Sequence, residues 1–132
     1  MVSAGTVLKP DRIQTATFVG RLCLSAIFLV SGVGKVISPQ SGIAAIQSLG
    51  LPFPAVGLAL AAAIELLCGT ALLFGLQLRW TASILAIFTI LTATFFHSSF
   101  ADPNQLTHFL KNVAITGGLL HVIVLGPPTR RR

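Results

Sequence analysis

Residues 54–76 read PAVGLALAAAIELLCGTALLFGL, an apolar run long enough to decide the fold. A helix needs about 20 such residues to cross the hydrocarbon core of a bilayer, which is ~30 Å thick. A single acidic residue, Glu65, lies near the middle of this run. Because a carboxyl group at mid-bilayer depth costs about 2.5–3.5 kcal/mol on insertion scales, it usually faces a partner or a cavity. Glu65 is therefore either a hydrogen-bonded structural residue or a functional carboxyl group.

The composition of the whole chain indicates an integral membrane protein with one domain. Of its 132 residues, 54% are hydrophobic and only 9% are charged, whereas soluble domains carry about 25% charged residues. So few polar residues could not cover the outside of a soluble protein of this length. The net charge of +6 comes from basic residues that flank the apolar segments. This placement favours lipid headgroups, and not nucleic acid, as the partner.

Four apolar segments predict an all-α fold, a bundle of four membrane-spanning helices. Between the first two segments, Pro39 and Gly42 break the helix, and residues 43–49 are predicted to form a short amphipathic turn at the membrane surface. The predicted spans are residues 16–37, 54–76, 80–96 and 108–125.

The spans divide the chain into a cytoplasmic N-terminal arm (residues 1–15), a membrane domain (16–126) and a basic cytoplasmic tail (127–132). An even number of spans places both termini on the same side. Seven of the nine Lys and Arg residues would lie on that side, and this bias predicts that both termini are cytoplasmic. These seven residues are Lys9, Arg12, Arg21, Arg79, Arg130, Arg131 and Arg132.

The face of the second span that carries Glu65 is predicted to pack against other helices, because small side chains let membrane helices approach closely. For the partner of Glu65 we consider Arg21 from one side and Asn112 or Thr116 from the other. We favour an Arg21–Glu65 ion pair, because a guanidinium group is long and binds carboxylates through two parallel hydrogen bonds. The small residues of this face are Gly57, Ala61, Ala62, Cys68 and Gly69.

A second group of polar residues lies toward the opposite surface, around the loop after the third span. One interpretation is an ordinary solvated loop at helix ends. The other is a binding site for an anionic or quinone head group, with Glu65 deeper in the pocket. No metal site is predicted, because His97 and His108 are 11 positions apart and match no common ligand spacing. The group comprises Lys35, His97, Asp102, His108, Lys111 and Asn112.

Several segments resemble the DoxX family of small bacterial membrane proteins, and the resemblance covers residues 18–125. Arg21 opens the first span, Glu65 is followed by Gly69, and Arg79 lies in a tight loop. The longer matching segments are FLVSGVGK at residues 28–35, SLGLP at residues 48–52 and FLKNVAITGG at residues 109–118.

The resemblance implies a four-helix bundle in the bacterial inner membrane. Some members of the family are subunits of thiosulfate:quinone oxidoreductase or quinol-oxidase systems, and others are linked to oxidative stress. It therefore implies a redox-linked membrane subunit that serves a redox-enzyme partner, with a quinone-type or small anionic ligand near Glu65, Lys111 and Asn112. A quinone is the one cofactor under consideration, and no heme ligand is carried over. Whether the chain is itself catalytic stays open.

Two other functional classes stay open as well. In a non-catalytic partner or assembly subunit, Glu65 only holds the bundle together. A small permease with four short spans would have to form a homo-oligomer to enclose a path. An apolar pocket beside Glu65 would favour ligand binding. The candidate functional or ion-pair residues are Arg21, Lys35, Glu65, Arg79, His97, His108, Lys111 and Asn112.

Overall fold

The structure, a computed structural model, describes residues 8–126, and these residues form five helices and no strand. Four of the helices, all except α2, are long and apolar enough to cross a membrane. The prediction of an all-α bundle of four membrane-spanning helices is therefore confirmed. The helices are α1 (Pro10–Ile37), α2 (Pro39–Ser48), α3 (Pro54–Phe74), α4 (Leu78–Phe96) and α5 (Pro103–Leu125).

Proline and glycine mark most of the helix ends. Every helix except α4 has proline in its first turn, where the fixed φ angle suits the helix and the missing N–H is not needed. Asp102 caps α5 by accepting a hydrogen bond from the backbone N–H of Asn104 at 2.9 Å. α3 ends at Phe74, and the next residue, Gly75, has a φ angle of +75°, which lies in the left-handed region that favours glycine.

Two elements differ from the sequence-based prediction. α1 begins at Pro10 and not at Ala16, because proline followed by Asp11 makes a favourable first turn. The predicted amphipathic turn is part of a full helix of 10 residues, α2, which is separated from α1 by one residue, Ser38. The predicted basic tail, residues 127–132, lies outside the described residues.

The four spanning helices follow one another around the bundle in chain order. α1 packs along α3, α3 contacts α4, and α4 packs along α5, whereas α1 and α5 make only slight contact. A core of fully buried Leu72, Leu85 and Leu119, packed with Phe28 and Ala82, fills the half of the bundle nearer the chain termini. At the other half of the bundle, α2 packs against α3.

Two glycines determine the axial register between α1 and α3. A Cβ atom on Gly32 would lie 2.8 Å from Cγ of Leu66, and a Cβ atom on Gly69 would lie 3.2 Å from Cδ2 of Leu29. Such close approach is available only to small residues. Since Gly32 is level with Leu66, α1 ends about two turns short of the first residue of α3. α2 covers the space that this offset leaves.

We expect the substitution Gly32→Val to lower the free energy of unfolding by about 1–3 kcal/mol, the range for overpacking a close contact. The matched control is Gly34→Val on the same helix, where an added Cβ meets nothing within 4 Å. Thermal unfolding in detergent micelles would measure both variants. An equal loss of stability in the two proteins would contradict the proposed register contact.

We also expect the end of the bundle that carries both chain termini to face the cytoplasm, since four of the six Lys and Arg residues within residues 8–126 lie there. In a chain without its native cysteines, Ser99→Cys in the α4–α5 loop should react with a membrane-impermeant maleimide in intact spheroplasts. Leu76→Cys in the α3–α4 turn should react only after the membrane is opened. The reverse labelling pattern would contradict this orientation.

Candidate functional site

Lys35 of α1 and Glu65 of α3 form a charged pair inside the bundle. Nζ of Lys35 lies 2.8 Å from Oε2 of Glu65 and 3.1 Å from Oε1. Ser31, one turn before Lys35, donates a hydrogen bond of 3.0 Å to Oε1 of Glu65. Lys35 in turn donates a hydrogen bond of 2.7 Å to Oγ of Ser31. The carboxylate is therefore held by a cation and a hydroxyl group in one closed network.

The two charged side chains differ in exposure. The side chain of Glu65 is 6% exposed, whereas that of Lys35 is 26% exposed. A buried carboxylate needs a partner, because its removal from water costs several kcal/mol. The ammonium group of Lys35, at the end of a long side chain, is this partner, and it remains partly exposed. The pair thus joins a buried acid to an accessible ammonium group.

The predicted Arg21–Glu65 ion pair is wrong. Gly32 is level with Glu65, since a Cβ atom on Gly32 would lie 3.2 Å from Cβ of Glu65. Arg21 precedes Gly32 by 11 positions, which is about 16 Å along the helix axis. The guanidinium group of Arg21 packs instead against Gly75 at the end of α3. Arg21 and Lys35 share one face of α1 as predicted, and the error lies in the axial register.

A cavity of about 690 Å³ lies beside the charged pair and is lined by residues from all five helices. Most of its wall is apolar, with aromatic rings from Phe28, Phe88 and Phe96. α2 closes the cavity on one side, where Gly42 packs so tightly on Leu58 that a Cβ atom would collide. The polar residues in the wall are Ser31, Lys35, Glu65, Thr89, Thr92, His97 and Asn112.

His97 contributes a polar ring to the cavity wall. Its Nδ1 lies 2.8 Å from Oε1 of Gln105. Because an amide oxygen accepts, the imidazole tautomer that fits this contact donates from Nδ1 and has Nε2 as its acceptor. The ring of His108 stacks on that of His97, with centroids 5.0 Å apart, but His108 is not part of the wall.

Asn112 is the second polar group that α5 and its loop bring to the cavity. Within residues 8–126 its side-chain amide makes no hydrogen bond, although its backbone carbonyl accepts one from Thr116 at 2.9 Å. The neighbouring Lys111 is exposed and is not part of the cavity wall. Consecutive helical residues differ by about 100° in direction, so only one of this pair can face inward.

The structure thus divides the predicted site residues into two groups. Lys35, Glu65, His97 and Asn112 surround one cavity. His108 and Lys111 lie outside it near the same end, whereas Arg21 and Arg79 lie at the opposite end, each against a glycine that terminates a helix. No three His, Cys, Asp or Glu side chains in the described part of the chain could jointly hold a metal ion.

Sequence reasoning missed three polar residues of the site. Ser31 precedes Lys35 by one turn and shares its helix face, so the i, i+4 spacing was the available signal. Thr89 and Thr92 of α4 also line the cavity. Threonine is common in membrane helices because it can bond to the backbone of the preceding turn, as both do here. Their spacing alone therefore carried no functional signal.

This fold and site define a class: a multi-pass membrane protein with an ion pair and an apolar cavity between its spanning helices. Residues 16–98, more than half of the chain, match the DoxX family. The chain belongs to the DoxX family, which confirms the resemblance seen in the sequence.

Two relatives from Escherichia coli (strain K12) agree with this assignment. The inner membrane protein YqjF is 36% identical over 114 residues, which cover 86% of each chain. The inner membrane protein YphA is 26% identical over 115 residues, or 83% of this chain and 81% of the relative. No solved structure matches the chain. Together with the four spanning helices, these relatives place the chain in the bacterial inner membrane as a multi-pass protein.

We expect Lys35→Met to lower the free energy of unfolding by about 3 kcal/mol, because it leaves the buried carboxylate of Glu65 without its cation. The double variant Lys35→Met/Glu65→Gln should regain most of this loss, since no buried charge is left unpaired. Unfolding in detergent micelles would measure the variants. The control is Lys111→Met, an exposed lysine whose replacement should change stability by at most about 0.5 kcal/mol. Losses that simply add in the double variant would contradict a direct pair.

Proposed function

We propose that this protein is a redox-linked membrane subunit that binds a quinone-type lipid in the cavity beside Lys35 and Glu65. The observation that carries the proposal is an apolar cavity with a small set of polar groups in its wall. Small-molecule sites combine these two properties, and their volumes are about 300–1,000 Å³. The volume of about 690 Å³ lies within that range.

The polar groups suit both forms of a quinone. The carbonyl oxygens of the oxidised form accept hydrogen bonds, and the amide of Asn112 is a donor in the wall, beside the positive charge of Lys35. The hydroxyl groups of the reduced form donate, and Nε2 of His97 is available as an acceptor. The aromatic and aliphatic remainder of the wall suits the ring and the apolar tail.

The charge of the cavity favours a neutral ligand over the small anion considered from the sequence. Lys35 is balanced by Glu65 at 2.8 Å, and the other nearby cation, Lys111, is not in the wall. An anion that entered the cavity would therefore bring an unbalanced charge into a membrane interior, which is costly. A quinone brings none.

The redox role requires a partner subunit. Reduction of a quinone to a quinol consumes two electrons and two protons, and the electrons have to come from a redox group. We assign the electron donor to a partner protein. The resemblance to subunits of quinone-linked oxidoreductase systems supports this assignment.

A second candidate is a non-catalytic assembly subunit. It is favoured by the pairing of Glu65 with Lys35 and Ser31, which would suffice to hold α1 against α3. A purely structural pair, however, requires no space beside it, and protein interiors leave few voids larger than a water molecule. A permease is less favoured, because fully buried Leu72 and Leu85 close the bundle beyond the cavity.

Quinone binding can be tested with a matched pair of substitutions on α3. Ala61 lines the cavity, whereas Ala63 is exposed on the outer face. After purification in mild detergent, extraction and mass spectrometry should find quinone with the wild-type protein and with Ala63→Phe. In Ala61→Phe the added ring occupies the cavity, and the quinone content should fall by at least about tenfold, equivalent to about 1.4 kcal/mol.

The same preparations also test the redox assignment, because co-purified proteins are identified in the mass spectra. A wild-type preparation that contains neither quinone nor a redox-enzyme partner would refute the proposed function. Equal quinone content in the two phenylalanine variants would place the quinone outside this cavity.

A further inference from the structure

Arg21 lies at the end of the bundle opposite the cavity and has no partner among residues 8–126. Its guanidinium group packs against Gly75, where a Cβ atom would collide with Nη1. Its Nε atom is buried and makes no hydrogen bond. A buried donor without a partner costs about 1–3 kcal/mol, so such groups usually have a partner that belongs to the complete system.

The neighbouring helix end does not supply that partner. The last turn of α3 is closed by its own backbone, with hydrogen bonds from Leu76 N to Ala71 O at 2.8 Å and from Gly75 N to Leu72 O at 3.2 Å. These bonds occupy the carbonyl groups of Ala71 and Leu72, two of the groups that an arginine at a helix C-terminus could otherwise bind. Within residues 8–126 the buried Nε of Arg21 makes no hydrogen bond to this helix end.

No acidic side chain of the protein can neutralise Arg21. The chain has three acidic residues, and all three lie in the described part. Glu65 is paired with Lys35, and Asp102 caps α5 at the other end of the bundle. Asp11 precedes Arg21 by 10 positions on the same helix, about 15 Å along its axis. An anion for Arg21 must therefore come from outside these side chains.

The position of Arg21 indicates which anion is available. Arg21 is level with Gly75 at the end of a spanning helix, where the membrane interface lies. Phe74 and Trp80, at this end, are 70% and 72% exposed, and exposed tryptophan is typical of the membrane–water interface. Arg79 adds a second cation at the same end, against Gly126. The anionic groups at this depth of a bilayer are lipid phosphates.

We propose that Arg21, with Arg79 as a second cationic group, binds the phosphate of an anionic glycerophospholipid. A guanidinium group binds phosphate oxygens through two parallel, charge-assisted hydrogen bonds. The two cations without a nearby acid favour a lipid with a net negative charge over a zwitterionic lipid, whose own cation would be repelled. Gly75 provides the space in which the guanidinium group is held for this contact.

Native mass spectrometry of the delipidated protein would test the site with two lipids of equal acyl chains, phosphatidylglycerol and phosphatidylcholine. The wild-type protein should bind phosphatidylglycerol more tightly. Arg21→Gln should weaken this binding by at least about tenfold, because the variant loses the positive charge and at least one of the two charge-assisted hydrogen bonds. The matched control is Lys111→Gln, which removes one positive charge at the other end and should leave the affinity unchanged.

Three outcomes would overturn the proposal. The first is equal affinity of the wild-type protein for the two lipids. The second is an equal loss in Lys111→Gln and Arg21→Gln, which would indicate a general effect of net charge. The third is full displacement of phosphatidylglycerol by millimolar inorganic phosphate, which would indicate a site for the free ion. The first and third measurements use only the wild-type protein, so they decide the question even if Arg21→Gln does not fold. Neither measurement depends on quinone binding.

Discussion

Lys35 and Glu65 carry opposite charges into a bundle that lipid surrounds, and neither charge could be buried there without the other. Their contact at 2.8 Å requires α1 and α3 to pack closely and in one axial register. Gly32 and Gly69 permit this close packing, because each lets a side chain of the facing helix come into van der Waals contact with the helix backbone. The pair and the two glycines are thus parts of a single constraint on the first two spans.

The cavity follows from this register. With Gly32 level with Leu66, α1 ends about two turns short of the first residue of α3, and α1 leaves a space at this end of the bundle. α2 covers this space without filling it, since Gly42 contacts Leu58 at one edge and the space behind is left open. A different pairing, such as Arg21 with Glu65, would have moved α1 along α3 and removed the gap. The ion pair therefore determines where a ligand can bind.

An ion pair of this kind specifies structure more than it stabilises it. Apolar residues of similar size often replace a buried pair with no loss of stability, because the cost of removing two charges from water disappears with them. What an apolar replacement would lose is the defined register of α1 on α3 and the polar patch in the cavity wall. Both are properties that a binding site needs and that a simple membrane anchor does not.

The sequence predicted the spans well because hydrocarbon selects for long apolar runs, and proline marks the start of most helices. It also placed Arg21 and Lys35 on one face of α1, since helical periodicity determines direction. Axial register could not be predicted in the same way. It depends on which glycine meets which large side chain and on how residues 38–53 fold, and these residues are compatible with a loop or a helix. The wrong partner for Glu65 and the underestimated length of α2 have this common origin.

Direction around a helix also separates Asn112 from Lys111, two adjacent residues that sequence distance alone would have grouped together.

The two ends of the bundle differ in whether positive charge is neutralised by an acidic residue of the chain, and this difference bears on function. At the cavity, the charge of Lys35 is cancelled within the chain by Glu65, so the site is polar without being charged. At the other end, Arg21 has no such partner among residues 8–126, and its position at the membrane interface gives it access to lipid phosphate. A site whose positive and negative charges balance suits a neutral ligand that enters from the hydrocarbon region of the bilayer. The cavity is bounded by α1 and α5, the adjacent helices with the slightest contact, so an apolar tail can extend between them into the bilayer while the head group stays beside Lys35.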